Sequence, residues 1–125
     1  MRLRETAVGD GTLTAYLRDT MEFERERLRP AVIICPGGSY AECSGREGEP
    51  YALRFLTMGY QAFVLDYSVA PARFPTALLE LTRAVALVRE NADRWQIDPR
   101  RIFVCGSSAG GHLAASLGVH WDKEF

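Results

Sequence analysis

Apolar positions follow two different rhythms along this chain. Over residues 2 to about 19, short alternating stretches broken at Gly9, Asp10 and Gly11 predict a β-hairpin with Leu13, Ala15 and Leu17 on one face, an antiparallel edge. A charged turn over residues 21–29 and then Pro30 lead into unbroken apolar runs at residues 31–35 (AVIIC), 61–68 (QAFVLDYS) and 101–105 (RIFVC). Such runs predict strands of a parallel sheet covered on both faces. Helical spacing fills the gaps between them. Pro50 suits a first helical turn, Ala52, Phe55 and Leu56 face a core, and Gly59 ends the segment. After Pro71 and Pro75, Leu78, Leu81, Val85, Val88 and Ala92 trace an apolar stripe, with Glu80, Arg83, Arg89 and Glu90 off it. Asp98 and Pro99 predict a turn, and residues 111–120 a third helix.

This alternation predicts an α/β fold of three layers, α/β/α, in one domain over residues 1–125: a hairpin, three parallel strands and three helices. No internal repeat or linker interrupts it. Crossovers in such a sheet are right-handed, and ligands bind at the carboxyl ends of the strands.

Two bends satisfy that rule. The third run ends in GSSAGG, with Gly106, Ser108 and Gly110 in G-x-S-x-G spacing between a strand and a helix. A serine at such a turn is strained outward beyond the sheet, and small neighbours leave room for a substrate. Ser108 is thus a candidate nucleophile, and the N–H of Ala109 at the helix start faces the same point. The alternative is a tight glycine-serine turn without chemistry. The first run ends in Pro36, Gly37, Gly38 and Ser39. Adjacent glycines let backbone amides turn toward a ligand oxygen, so this segment is a candidate oxyanion loop; an ordinary glycine turn is the competing reading. Phosphate binding drops out, since neither the P-loop lysine nor G-x-G-x-x-G spacing is present.

Composition narrows the classes. A net charge of −1 and a hydrophobic fraction of 47% are those of a globular protein. Arg25, Arg27 and Arg29 alternate with Glu22, Glu24 and Glu26, which predicts a solvated turn and no nucleic-acid surface. No stretch approaches the roughly 18 apolar residues of a membrane span, and the start lacks a signal peptide's apolar core, so a cytoplasmic protein is expected. Cys35, Cys43 and Cys105 lack metal-type spacing. Cys35 and Cys105 read as free core thiols, with Cys43 in a looser loop.

The segments PGGSY, SGREGEPYALRFLTMGYQAFVLDYSVAP, LLELTRAVALVRENADRWQIDPRRI and CGSSAGGHLAASLG together cover nearly all of the chain from Ala31 onward. In this combination the chain resembles the α/β-hydrolase fold, closely its bacterial acetyl esterase and sugar-ester hydrolase branch, related to acetyl xylan esterases. The resemblance implies that Ser108 is the nucleophile and that the amides of Gly38, Ser39 and Ala109 form the oxyanion hole. It implies hydrolysis of small-molecule carboxylic esters, such as sugar acetates, through an acyl-enzyme, with no metal or organic cofactor. One departure is Pro36, where related hydrolases often carry histidine; the proline form suits the esterase branch. Tyr40 and the loop over residues 42–49 are candidates for one wall of the substrate site, or else a solvent-facing connection.

Serine esterases of this fold also need a carboxylate and then a histidine after the serine in the chain. Only residues 109–125 follow Ser108, so the expectation is the N-terminal portion of such a domain, inactive alone, with acid and base after later strands. Asp122 and His120 cannot substitute: a helix carries His120 roughly 18 Å from Ser108, whereas a base must stand within about 3 Å of its proton donor. His112 lies only about 6 Å along the helix but has no evident orienting carboxylate, and a packing or loop-bonding role is expected. Asp66 reads as a loop-ordering carboxylate. A sheet that stops at the strand of residues 101–105 exposes an edge, which predicts a homo-oligomer or association with the missing C-terminal portion. The alternative function is a non-catalytic, truncated fragment acting only through association.

Overall fold

Five strands form one mixed sheet in the computed structural model, which describes residues 2–18, 28–38, 47–69, 75–107 and 109–120. The elements in chain order are β1 (Arg2–Val8), β2 (Gly11–Leu17), β3 (Arg29–Cys35), α1 (Glu49–Thr57), β4 (Gln61–Asp66), α2 (Thr76–Glu90), α3 (Ala92–Trp95), β5 (Ile97–Gly106) and α4 (Ala109–His120). Their order across the sheet is β1-β2-β4-β3-β5. β2 pairs antiparallel with both β1 and β4, while β3 lies parallel between β4 and β5. The hairpin is therefore continuous with the parallel core, and β3 is fully flanked.

Strand periodicity divides the apolar residues between two faces. On one face Leu13, Ala15, Leu17, Ile33, Phe63 and Leu65 pack under Leu78, Leu81, Ala84 and Val88 of α2, Trp95 of α3 and Leu113 of α4. On the other, Tyr16, Val32, Ile34, Ala62 and Val64 meet Ala52 and Leu56 of α1. The result is three layers, because strands apolar on both faces must be covered on both. The aromatic rings of Phe63 and Trp95 meet at 5.4 Å between centroids.

Five elements depart from the pattern read in the sequence. Asp98 and Pro99 do not end the connection before a strand; they lie inside β5. The register jumps from Arg29 opposite Ile97 to Ala31 opposite Ile102, so β5 bulges where Pro99 cannot donate to a ladder. Asp98 closes the bulge by accepting from Arg100 N–H (2.9 Å) and Arg101 Nε (3.1 Å). These bonds, the backbone one foremost, hold its carboxyl below the ordinary range. The apolar stripe ending at Ala92 is divided, with α2 closing at Glu90 and α3 following after Asn91, and Gln96 then takes a left-handed conformation, φ 56°. β4 stops at Asp66, which releases Tyr67 and Ser68 for other bonds. Arg29 belongs to no solvated turn. It is 2% exposed at the start of β3, donating its N–H to Gln96 O at 2.8 Å and its Nη1 to Gly59 O at 3.4 Å. The predicted third helix begins two residues earlier, at Ala109.

Two further buried polar side chains tie the layers together. Gln61 accepts Arg18 N–H (2.8 Å) and donates to Trp95 O (2.9 Å), which joins the β2 exit to the end of α3. Glu80, 4% exposed on α2, accepts the Ser68 N–H (2.6 Å) and the Ser68 hydroxyl (2.5 Å). Deleting the acceptor leaves both donors without it, and an unsatisfied buried donor is costly. Glu80→Ala is expected to lower unfolding stability by about 2 kcal/mol in denaturant titration, with Glu80→Gln losing less because its amide oxygen still accepts.

Candidate active site

The carboxyl ends of β3 and β5 lie side by side, with Cys35 opposite Gly106 in the ladder. Both bends singled out in the sequence start from that pair. Ser107 N–H donates to Cys35 O at 3.4 Å, and Gly110 N–H returns to Ser107 O at 2.9 Å. Glycine is obligatory at two positions here. A Cβ on Gly110 would overlap the Cys35 carbonyl oxygen and stand 2.7 Å from Pro36 O. A Cβ on Gly106 would overlap Gly110 O and stand 2.6 Å from Gly111 N. The first turn of α4 thus sits directly on the exit of β3, closer than any side chain permits.

Ala109 opens α4 and is buried, 7% exposed. The amino end of this helix, with its positive partial charge, therefore lies beside the glycine loop. Gly38 in that loop has φ 144°, a region disfavoured for residues with side chains. Ser108, Ser39, Tyr40 and Cys43 lie outside the described residues, as does the 70–74 segment.

Two side chains hold the glycine loop, and the sequence reading missed both. Glu47 accepts the Gly37 N–H at 2.7 Å, and the Tyr67 hydroxyl donates to Pro36 O. Glu47 had been expected on a solvent-facing loop or the substrate wall; instead its carboxylate turns back onto the loop's backbone. The available signal was the need itself. A glycine-rich bend carries N–H groups that require acceptors, and an acidic residue preceding the Pro50 helix was near enough in sequence to supply one.

His112 is exposed on the first turn of α4, and its carbonyl accepts the Ser116 hydroxyl at 2.9 Å. Asp66 ends β4 opposite Thr12, and its carboxyl is raised above the ordinary value, first by desolvation and then by Glu5. The carboxylate that orders the loop after β4 is Glu80. The phenol of Tyr16 is raised as well, by burial and then by Glu49. Among the described residues Cys35 and Cys105 are not joined in disulfides, and no three of His, Cys, Asp and Glu gather as a metal site. None of the described helices is long and apolar enough to cross a membrane.

The strand order, the glycine loop after β3 and the glycine-serine bend after β5 define an α/β hydrolase. Solved structures agree. The fold is similar to an alpha/beta hydrolase enzyme from a Medee basin deep-sea metagenome library, at 42% identity and TM-score 0.88, covering 94% of this chain and 50% of that one. It is also similar to the acetyl ester-xyloside bifunctional hydrolase of Caldicellulosiruptor lactoaceticus, at 41% identity and TM-score 0.82, covering 88% and 39% of the two chains. A carboxylesterase of Mycobacterium tuberculosis is 35% identical over 122 residues, 94% of this chain and 38% of its own length. Within this class the BD-FAE family profile matches residues 20–125, and the chain belongs to that family. The resemblance drawn from PGGSY and CGSSAGGHLAASLG is thereby upheld. The chain spans half or less of the length of each of these relatives.

Proposed function

We propose that this chain is the nucleophile-bearing portion of a serine carboxylesterase, with Ser108 attacking the ester carbonyl. The observation that carries this reading is the contact between the two bends, with Gly110 seated against Cys35 and Pro36 where no side chain fits. That contact brings Ser107 and Ala109, the chain neighbours of residue 108, beside the glycine loop. The N–H groups of Gly38, Ser39 and Ala109 then receive the charge that develops on the carbonyl oxygen. The serine oxygen bonds to the acyl carbon, the alcohol departs with a proton, and water releases the acid from the acyl-enzyme. The carboxylate and histidine come from further sequence of the full-length protein, consistent with relatives of which this chain covers half or less. We assign neither His112 nor Asp66 to those roles.

A small acyl group on a sugar or similar alcohol is the substrate we favour, supported by the relative named for acetyl ester and xyloside hydrolysis. Tyr40 is assigned to the wall of the site. No cofactor enters this chemistry, and cysteines such as Cys35 and Cys105 outside any disulfide suit a reducing cytoplasm. A fluorophosphonate probe should label the full-length protein on Ser108; a folded protein that takes no label at that residue refutes the nucleophile.

The open side of β5 supports the association expected from the sequence. Among the described residues β5 pairs only with β3, and Phe103 is 49% exposed beside Tyr60. We place a further strand of the full-length protein there, or a second copy when the 125-residue chain is expressed by itself. Sedimentation velocity of that chain should show concentration-dependent association, and a monomer at every concentration counts against it.

A further inference from the structure

We infer that Glu47 and Tyr67 are positioning residues that clamp a single peptide unit and thereby aim the oxyanion loop. The inference rests on the ester-hydrolase reading above. The carbonyl that Tyr67 bonds, Pro36 C=O, and the N–H that Glu47 bonds, on Gly37, belong to the same amide plane. In a trans peptide these two groups point in opposite directions, so one partner on each side stops the plane from turning about its own axis. The bond to Glu47 is charge-assisted and short, 2.7 Å, and the Tyr67 ring is 3% exposed.

Each clamp is itself anchored. Glu47 precedes Gly48, the N-cap of α1, and the first turn of that helix closes through Ala52 N–H to Gly48 O at 3.0 Å. Tyr67 is the first residue past β4, and its neighbour Ser68 is held by both carboxylate oxygens of Glu80 from α2. The glycine loop is thus braced from a helix on each face of the sheet. Such bracing is needed because two successive glycines otherwise have many backbone states to choose among. With the Pro36–Gly37 plane set, the direction of the Gly38 N–H depends only on the two backbone rotations of Gly37, and the φ of 144° at Gly38 then acts on the peptide that follows. The Gly37 N–H is taken by Glu47, so the donors for a substrate oxygen begin at Gly38.

The test uses the full-length enzyme and hydrolysis of p-nitrophenyl acetate. Tyr67→Phe and Glu47→Ala should each lower kcat about 10-fold, less than the loss of a whole oxyanion donor. KM should stay within about twofold, because the clamp acts on the transition state more than on the bound ester. Glu47→Gln should recover most of the rate, since its amide oxygen can accept the Gly37 N–H. Parental kcat in both Tyr67→Phe and Glu47→Ala overturns the clamp, as does equal loss in Glu47→Ala and Glu47→Gln. A measurement on the parent needs no substitution: the Gly37 amide should exchange slowly and resonate at low field, and exchange at the rate of an exposed amide overturns the inference. Failure of the underlying reading is separate, because then Ser108→Ala would retain hydrolysis and probe labelling.

Discussion

Ser108→Ala in the full-length protein is expected to lower kcat for ester hydrolysis by about 10⁴-fold to 10⁶-fold while leaving the thermal unfolding transition in place. The magnitude follows from what alanine removes and what it spares. Without the hydroxyl no acyl-enzyme can form, so the only route left is direct attack by water on an ester held in the site. Oxyanion donors and substrate contacts survive, and in triad hydrolases they alone sustain a residual acceleration of about 10³-fold to 10⁴-fold over water. The change deletes one oxygen and adds no volume, so the bend keeps the glycine contacts that shape it. Steady-state kinetics on a p-nitrophenyl ester, alongside a melting curve, check both halves. A variant that hydrolyses at the parental rate removes Ser108 from the chemistry.

Gly110→Ala should prevent stable folding, a loss of at least about 3 kcal/mol. The added Cβ would occupy the position of the Cys35 carbonyl oxygen and lie 2.6 Å from its carbon. That oxygen accepts the Ser107 N–H and sits in the ladder at the end of a strand buried from Ala31 to Cys35, so it has nowhere to retreat. Relief requires lifting the start of α4 off the sheet, which uncovers Leu113 and separates the two bends. Gly118→Ala supplies the contrast. It lies in the same helix with nothing within 4 Å of the added carbon, and alanine there should stabilise the chain by about 0.5 to 1 kcal/mol. Urea unfolding of the two variants should therefore move in opposite directions, and equal effects would show that the packing at residue 110 is not what demands glycine.

The division between what could be read and what could not follows the range of the interactions. Local rhythm was enough for the hairpin carrying Leu13, Ala15 and Leu17, for the apolar runs at β3 and β4, and for the helix punctuated by Pro50 and Gly59. The spacing of Gly106, Ser108 and Gly110 between a strand and a helix likewise pointed to a bend. Arg29 misled because a charged residue in a charged run looks solvated until its carbonyl partner on Gly59, distant in sequence, is known. Pro99 misled because proline signals a turn, whereas an edge strand can absorb it as a bulge.

Sequence alone determined the α/β class, the identity of the two bends and the glycines they require, since each is a matter of neighbouring residues and their period. Only the tertiary structure decided that β4 intervenes between β2 and β3, that Gly110 rests on Cys35, and that Glu47 and Tyr67 grip opposite ends of one peptide plane. The physical reason is that strand order and hydrogen-bond partners depend on contacts between residues far apart in the chain, and a pattern of nearest neighbours carries no record of which distant donor meets which acceptor.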